Sequence, residues 1–199
     1  TSASFNKPAE VIKVGDNLYV ADNLNHTIRR IVISTGAVTT LAGTANSYGS
    51  TDGYGAKFRH PTGITFDGSY IYVADSENHL IRRINPNNGY VSTLAGSAGS
   101  SGSTDGTGTS ARFNVPRGIT HDSLNLYVTD FNNHKIRKIV KSSGEVTTLA
   151  GSGSSGTTDG TGTSASFKNP ESITTDGANL YVGDHSAHTI RKIVISTGA

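Results

Sequence analysis

The sequence contains no cysteine, no methionine and no tryptophan, and aromatic residues make up only 7% of its 199 positions. Without cysteine, the chain can form no disulfide bridge, no thiolate nucleophile and no cysteine-ligated metal site. No apolar run approaches the ~20 residues that a membrane-spanning helix requires. The scarcity of aromatic side chains also leaves little material for stacking on nucleic-acid bases or on sugar rings.

Charged residues are few as well, since they make up 16% of the chain and the formal net charge is only +2. The hydrophobic fraction of 34% can still build a core, and 24 glycines supply turns between short strands. The abundance of threonine, serine, glycine and asparagine favours an extracellular or cell-surface protein. The chain begins at Thr1 without a methionine or an apolar leader, which predicts a processed chain or a piece of a longer protein.

What the chain does contain is an internal repeat, visible as a Tyr-Val-x-Asp segment that occurs four times. Its aspartates follow one another at intervals of about 54 residues. They are Asp22, Asp75, Asp130 and Asp184. A proline and a phenylalanine precede each of these segments at matching distances, so one structural unit has been copied four times.

Each repeat predicts four short strands, and the second repeat illustrates them. An apolar stretch at 63–67 follows Pro61, a second strand ends at Asp75, and further strands cover 80–84 and 90–95. No segment of the chain carries a sustained helical period. The predicted fold is therefore all-β, a β-propeller of four blades that bury their faces against one another.

The fourth repeat stops before the segment that forms the outer strand in the other three. The predicted blades cover about 1–43, about 58–96, about 113–151 and about 167–199, with linkers rich in Gly, Ser, Thr and Asp between them. We expect the last blade to lack its outer strand and to have an open edge with Ile190, Ile193 and Ile195. Three arrangements fit this pattern: a closed ring of four blades, part of a larger ring, or a subunit completed by association.

Three segments of the first repeat carry a family resemblance: Leu18-Tyr-Val-Ala-Asp22, Asn25-His-Thr-Ile-Arg-Arg-Ile31 and Val38-Thr-Thr-Leu-Ala-Gly43. They resemble NHL repeats, especially those of the bacterial long-linker type, and are similar to the repeats in the propeller of teneurins. The resemblance covers essentially the whole chain. It implies a propeller whose inner strand follows the proline, usually with a binding role, but it implies no particular ligand.

Residues that recur in every repeat are expected to belong to the scaffold, because a catalytic or binding site needs an asymmetric set of side chains. The repeated aspartates are predicted to accept backbone N–H groups of the turn that follows them. A histidine opens each third strand, and these four histidines are expected to lie too far apart to share a metal. They are His26, His79, His134 and His188.

Each third strand also holds a basic pair, such as Arg82 and Arg83. Some NHL propellers bind RNA on a basic face, but the fifteen acidic residues of this chain nearly balance its seventeen lysines and arginines. We expect these pairs to be solvated or bound to aspartate, and nucleic acid is an unlikely partner. The linker residues Asp52, Asp105 and Asp159 are expected to form Asp-Gly turns rather than calcium sites, so no cofactor is predicted.

Residues that differ between repeats are the candidates for a binding site. The loop before the first strand contributes Glu10, Arg59, His60, Arg117 and Glu171. The turn between the second and third strands contributes Phe131, Asn132 and His185. Because these loops meet on one face of a propeller, face-on binding of a protein partner is the leading hypothesis.

The predicted function is that of a non-enzymatic extracellular or cell-surface scaffold, of bacterial origin, that binds a protein or assembles with itself. No catalytic residue and no metal site are assigned. An alternative is a metal-dependent lyase or hydrolase, because an amidating lyase with a similar fold holds its metal with histidines. His60, His121 and His185 are not repeated, and His185 has a His-x-x-His spacing with His188. A further alternative is an RNA-binding NHL domain.

Overall fold

The computed structural model describes residues 3–199, and Thr1 and Ser2, with which the first predicted blade begins, lie outside them. The described residues form sixteen strands in four antiparallel sheets. Blade 1 contains β1 (Pro8–Val14), β2 (Asn17–Asp22), β3 (Thr27–Val32) and β4 (Val38–Gly43). Blade 2 contains β5 (Pro61–Phe66), β6 (Ile71–Asp75), β7 (Leu80–Ile84) and β8 (Val91–Gly96).

Blades 3 and 4 follow the same plan, but blade 3 has one strand more and blade 4 has one strand fewer. Blade 3 contains β9 (Gly106–Thr107), β10 (Pro116–His121), β11 (Asn125–Asp130), β12 (Lys135–Val140) and β13 (Glu145–Ala150). Blade 4 contains β14 (Pro170–Thr175), β15 (Asn179–Asp184) and β16 (Thr189–Val194). Short 3-10 turns lie at Asn23–Asn25, Ser76–Asn78, Gly108–Ser110, Phe131–Asn133, Gly162–Ser164 and His185–Ala187. Within residues 3–199, no helix is long and apolar enough to span a membrane.

The prediction of an all-β propeller with four-stranded blades is confirmed. In blade 2, consecutive strands are neighbours in the order β5-β6-β7-β8, which is the meander that short polar turns allow. The hairpin between β7 and β8 needs a positive φ, and Gly89 supplies it at +73°. The β9 strand was not predicted: it is a piece of the linker that pairs with the outer strand of blade 3.

Blade 4 lacks its outer strand, as predicted, so β16 is the last strand of a three-stranded sheet. The isoleucines of this region differ in their environment. Ile190 is 76% exposed, whereas Ile193 is buried against blade 3 and Ile195 packs beside it. The open edge therefore consists of backbone N–H and C=O groups of β16. Of the three isoleucines, only Ile190 adds an exposed apolar side chain to it.

The inner strands of successive blades pack side by side, β1 against β5, β5 against β10, and β10 against β14. No comparable packing joins β14 back to β1 in the described part of the chain. The four blades thus form an open arc rather than a closed four-blade ring. Apolar clusters fill the spaces between neighbouring blades; between blades 1 and 2, for example, Tyr19 and Ile28 pack with Phe58 and Ile64.

Of the four repeated histidines, three join their blade to the next one. They do not open the third strand; each ends the preceding 3-10 turn in the left-handed region, with φ of 60° at His79. The Nδ1 atom of His26 accepts the backbone N–H of His60 at 3.2 Å, and that of His79 accepts the N–H of Val115 at 3.1 Å. His134 and Asn169 make the same contact at 3.1 Å. We call this contact the histidine clasp.

The repeated aspartates accept a backbone N–H group from the loop before the first strand, and not from the turn that follows them. Asp75 Oδ1 accepts the backbone N–H of Arg59 at 2.7 Å, while its Oδ2 accepts from the Asn78 amide and from Arg82, each at 2.8 Å. Arg82 is completely buried. This first arginine of the basic pair is therefore a core residue of the blade.

The linker aspartates also differ from the prediction of simple Asp-Gly turns. Asp52 Oδ1 accepts from Arg82 Nη2 at 2.7 Å, and its Oδ2 accepts the backbone N–H of Thr93 in the outer strand. Asp105 repeats both contacts in blade 3. Blades 2 and 3 thus each tie the linker that precedes them to their third and fourth strands through one carboxylate.

The histidine clasp predicts a pH-dependent stability. Replacing His79 by glycine, which tolerates the left-handed conformation, should cost about 1 kcal/mol of unfolding free energy at pH 8 because the acceptor is lost. Burial lowers the pKa of His79 below its ordinary value, so the unfolded state binds more protons and the clasp weakens as the pH falls below that value. The stability difference between wild type and His79→Gly should therefore shrink between pH 8 and pH 5.

Urea denaturation at several pH values measures this difference. The matched control is His79→Asn, because the asparagine Oδ1 can take the place of Nδ1 as an acceptor that binds no proton in this pH range. We expect this control to change the stability by less than about 0.5 kcal/mol at pH 8. A difference for His79→Gly that stays constant or grows toward pH 5 would contradict the clasp as the source of the effect.

Candidate functional site

A groove of about 360 Å³ lies along the inner strands, where loops from all four blades meet. Four of the residues predicted from the sequence line it: Glu10, His60, Arg117 and Glu171. They come from four different blades, and the arc of inner strands brings them together. Gly63 lets the inner strands of blades 2 and 3 approach closely here, since a Cβ atom at this position would lie only 2.1 Å from the backbone oxygen of Arg117.

Each blade has two variable positions at or beside this groove: the residue after the inner-strand proline, which lines it in all four blades, and the first residue of the 3-10 turn, which lines it in blades 1 and 2. In blade 2 they are Thr62 and Ser76, whose hydroxyl oxygens lie 2.6 Å apart. The other pairs are Ala9 with Asn23, Arg117 with Phe131, and Glu171 with His185. The scaffold of the blades is constant while the chemistry of the pair changes from blade to blade.

The pairs of blades 3 and 4 are joined into one chain of contacts. The Arg117 guanidinium lies 3.6 Å from the centre of the Phe131 ring, an arrangement that attracts the cation to the face of the ring. Arg117 Nη1 donates to Glu171 Oε1 at 2.5 Å, and Glu171 Oε2 lies 3.7 Å from His185 Nε2. We call these four residues the Arg117 platform. Its charged members are partly exposed, so it can meet a partner.

The remaining predicted residues contact other residues of the chain and do not join the platform. Glu10 Oε2 accepts the backbone N–H of Ile64 in the next blade at 2.9 Å. Arg59 lies over the exposed ring of Tyr48, and Asn132 contacts Asn114; neither of them lines the groove.

Two lining residues, Thr62 and Ser76, were missed in the sequence. They connect blades, since Ser76 Oγ donates to the Pro116 backbone oxygen at 2.6 Å and Thr62 Oγ1 donates to that of Arg117. Their position in the repeat, equivalent to Arg117 and Phe131, is the signal that could have identified them.

The imidazole of His60 lies inside a small polar cluster. It packs edge-on against the ring of His26 with centroids 4.8 Å apart, and its Nδ1 lies 3.3 Å from Asn23 Oδ1. Burial lowers the pKa of His26, and the neighbouring His60 and Arg59 add to this effect. His26 thus stays neutral at pH 7, which keeps its Nδ1 atom available as an acceptor for the clasp.

The structure brings only two of the histidines considered for a metal to one place, since His185 and His188 both line a depression beside blade 4. His60 lies in the groove, and His121 Nδ1 pairs with the Thr65 hydroxyl at 3.0 Å. Over residues 3–199, no group of three or more His, Cys, Asp or Glu side chains could hold a metal ion.

The first member of each basic pair is bound within its own blade or by the linker before it. The first arginine of each pair forms a salt bridge with aspartate in all four blades. These arginines are Arg29, Arg82, Arg137 and Arg191. Arg82 and Arg137 are completely buried and cannot reach a phosphate on the surface.

The repetition of the same aspartate, histidine and arginine contacts along an arc of sheets defines a repeat β-propeller. The chain is 38% identical over 132 residues to human NHL repeat-containing protein 2, a match that covers 60% of this chain and 18% of the relative. The bovine protein of the same name is 32% identical over 174 residues, which cover 79% of this chain and 24% of the relative, and these matches support an NHL-repeat family for the chain. No family model matches it.

Two solved bacterial structures share the fold. A Bacteroides thetaiotaomicron protein of unknown function matches with a TM-score of 0.77 and 26% identity, over 94% of this chain and 47% of that one. An auxiliary nutrient binding protein from Bacteroides ovatus matches with a TM-score of 0.68 and 25% identity, over 88% and 44%. The chain therefore spans less than a fifth of the human relative and less than half of each bacterial propeller.

Proposed function

We propose that this chain is a non-enzymatic bacterial propeller, extracellular or on the cell surface, that binds a protein partner with its grooved face or assembles with further blades. The observation that carries this proposal is the contrast between the repeated scaffold and the variable pairs at the groove. Side chains that a blade needs for folding recur in each repeat, whereas the pairs at the groove do not. Such a face offers a rigid, asymmetric surface, which is what recognition of one partner requires.

The Arg117 platform is the anchor that we propose for the partner. Arginine and aromatic residues are enriched among the few residues that dominate the binding energy of protein interfaces. An aromatic side chain buries a large area while only two torsions are fixed. Phe131 and Glu171 already hold the guanidinium of Arg117 in place, so little side-chain freedom is lost on binding. The partner surface would complement the Arg117 guanidinium, which is paired with the Glu171 carboxylate and flanked by the Phe131 ring.

Selection from a phage-displayed peptide library on the immobilised chain tests this function. We expect peptides that bind wild type to lose at least roughly tenfold in affinity for the double variant Arg117→Ala/Phe131→Ala, since an anchor contributes about 2 kcal/mol or more.

The matched control is Arg83→Ala/Tyr70→Ala, an arginine–aromatic pair with the guanidinium 4.9 Å from the ring centre, outside the groove. It should leave the affinity of the selected peptides unchanged. Peptides that bind the wild type and both double variants equally would exclude the platform as the binding site.

A further inference from the structure

Tyrosine is distributed unevenly over the four blades. The chain has eight tyrosines, and four of them recur at one position of every repeat, where they belong to the scaffold. The other four all lie in blade 2 or in the linker before it, and they are between 36% and 73% exposed. They are Tyr48, Tyr54, Tyr70 and Tyr90. The other repeats have serine, threonine, asparagine, alanine or glutamate at these positions, so the fold does not require the exposed rings.

Three of these tyrosines form a row across one end of blade 2. A ladder of paired residues begins at Gly53 in the linker, crosses β8 and β7, and ends at Ile71 in β6. One step beyond this ladder, in the same order, lie Tyr54, Tyr90, Asn85 and Tyr70. The rings of Tyr54 and Tyr90 meet edge to face, with their centroids 5.2 Å apart. Tyr70 follows two strands further on, about 10 Å away at the usual strand spacing. We call Tyr54, Tyr90 and Tyr70 the tyrosine row.

Polar groups without a partner surround the tyrosine row. The Arg83 guanidinium lies 4.9 Å from the centre of the Tyr70 ring, and within residues 3–199 it forms no salt bridge. The Oδ1 atoms of Asn85 and Asn88 accept backbone N–H groups of their own turn, whereas their Nδ2 groups donate to no atom of the described residues. The hydroxyl groups of the row are also without a partner there, although the repeated tyrosine of this blade donates to an aspartate.

The tyrosine row borders a recess of about 570 Å³ between the hairpins of blades 1 and 2. Tyr70, Asn85 and Asn87 line the recess on the side of blade 2, and Asn17 lines it on the side of blade 1. The recess lies at the opposite end of β6 from Ser76, which lines the groove. Its volume is that of a site for a small organic ligand. A ligand of several linked units could therefore enter the recess and extend over the row.

Exposed rings beside free amide groups favour a carbohydrate as this ligand. The C–H groups of a sugar ring carry partial positive charge and are attracted to the electron-rich face of a tyrosine ring. The sugar hydroxyls can accept from asparagine Nδ2 groups and pair with tyrosine hydroxyls. An anchor for a protein partner would instead be surrounded by contacts that exclude water, whereas asparagines adjoin this row. The unpaired Arg83 guanidinium favours a carboxylate on the ligand, because the two groups form charge-assisted hydrogen bonds.

We propose that the tyrosine row and the recess beside it bind an acidic oligosaccharide. Its sugar rings stack on the exposed tyrosines, and the carboxylate of a uronic acid unit pairs with Arg83. The few aromatic side chains of the sequence suffice for such a site because the exposed ones are gathered in one blade. The site is separate from the Arg117 platform and takes a ligand of another class.

Isothermal titration calorimetry with tetragalacturonic acid tests this site. We expect the wild-type chain to bind this saccharide with a dissociation constant below about 1 mM. The methyl ester of the same saccharide keeps the sugar rings but lacks the charge. It should bind at least roughly threefold more weakly, because it cannot form the ion pair with Arg83.

Two variants separate the stacking from the charge. Tyr54→Ala/Tyr90→Ala should lower the affinity for tetragalacturonic acid at least roughly tenfold, because the stacking surface is lost. Arg83→Gln should remove the preference for the acid over the ester. The matched controls are Tyr48→Ala, an exposed ring outside the row, and Lys138→Gln, the cation at the equivalent position of blade 3. Both controls should bind tetragalacturonic acid like the wild type.

Three results would overturn the site. The first is a wild-type chain that does not bind tetragalacturonic acid, and the second is a Tyr54→Ala/Tyr90→Ala variant that binds it as tightly as the wild type. The third is binding of a proline-rich peptide at the row without binding of either saccharide. Equal affinity of the wild type for the acid and its ester would exclude the ion pair with Arg83. Because the substituted side chains are exposed or half-buried, circular dichroism should show an unchanged fold in every variant.

The saccharide site and the Arg117 platform can be distinguished in one set of proteins. The Arg117→Ala/Phe131→Ala variant should lose the selected peptides and still bind tetragalacturonic acid. The Arg83→Ala/Tyr70→Ala variant should keep the peptides and bind the saccharide more weakly. Loss of the saccharide in the first of these variants, with none in the second, would contradict the assignment to the tyrosine row.

Discussion

Replacing Arg82 by methionine should lower the free energy of unfolding by about 3–5 kcal/mol. The Arg82 guanidinium is completely buried and contacts the carboxylates of Asp75 at 2.8 Å and Asp52 at 2.7 Å. Methionine fills much of the same space but leaves the buried Asp75 carboxylate without its counter-charge. Guanidinium chloride denaturation with a constant m-value measures the loss.

Two further variants decide whether the charge or the packing is responsible. Arg191→Met is the matched control in blade 4, where Arg191 lies 3.8 Å from Asp184 and its other partner, Asp159, is almost fully exposed. We expect Arg191→Met to lower the free energy of unfolding by less than half as much as Arg82→Met. Adding Asp75→Asn to Arg82→Met should recover part of the stability, since it removes the uncompensated charge. Equal losses in blades 2 and 4, with no recovery in the double variant, would exclude the buried ion pair as the cause.

Replacing Gly63 by alanine should destabilise the protein by about 1–3 kcal/mol, the usual cost of overpacking. The added Cβ would lie 2.1 Å from the Arg117 backbone oxygen and 3.0 Å from the Ile119 nitrogen. Because both atoms are backbone atoms of the neighbouring blade, no rotation of a side chain relieves the contact. The inner strands would have to move apart, and the groove would widen with them.

The matched control is Gly55→Ala, because a Cβ at Gly55 meets no atom within 4 Å and Gly55 has no positive φ. We expect this variant to be neutral or slightly stabilising, since alanine reduces the freedom of the unfolded chain. Urea denaturation gives both values, and peptides selected on wild type report the groove. A Gly63→Ala protein as stable as the Gly55→Ala protein would contradict the close approach of β5 and β10.

The local structure of the blades could be predicted in detail. Strand three of blade 2 was expected at 80–84 and is observed at Leu80–Ile84, because apolar alternation between turn residues marks a short strand. The missing outer strand of blade 4 was equally visible, since one repeat is shorter than the other three. Four copies of one pattern make such predictions robust, because each copy tests the others.

The partners of the repeated side chains could not be predicted in the same way. The histidines were correctly assigned to the scaffold, but His79 binds the N–H of Val115, which belongs to the next blade. Asp52 was assigned to a turn, although it lies in the linker before blade 2 and binds Arg82 in the third strand of that blade. Local patterns describe only near neighbours in the chain, and these contacts join residues about 30 or more positions apart.

The residues of the groove could likewise be predicted only in part. The variation between repeats indicated Glu10, His60, Arg117 and Glu171, and the arc of inner strands places all four around one groove. It also indicated Arg59, which is adjacent to His60 in the chain but points away from the groove. His60 has a left-handed conformation, with φ of 53°, which changes the direction of the chain at this point. Arg59 therefore contacts Tyr48, while His60 lines the groove.

The sequence by itself determined the repeat, the number of blades, the order of strands and the identity of the scaffold residues, because these depend on turns and alternation within short segments. Only the tertiary structure decided that the arc is open, that a clasp joins each blade to the next, and that Phe131, Arg117, Glu171 and His185 form one platform. These features depend on how the blades stack. Stacking is set by the packing of residues that lie a full repeat apart, and no local pattern records it.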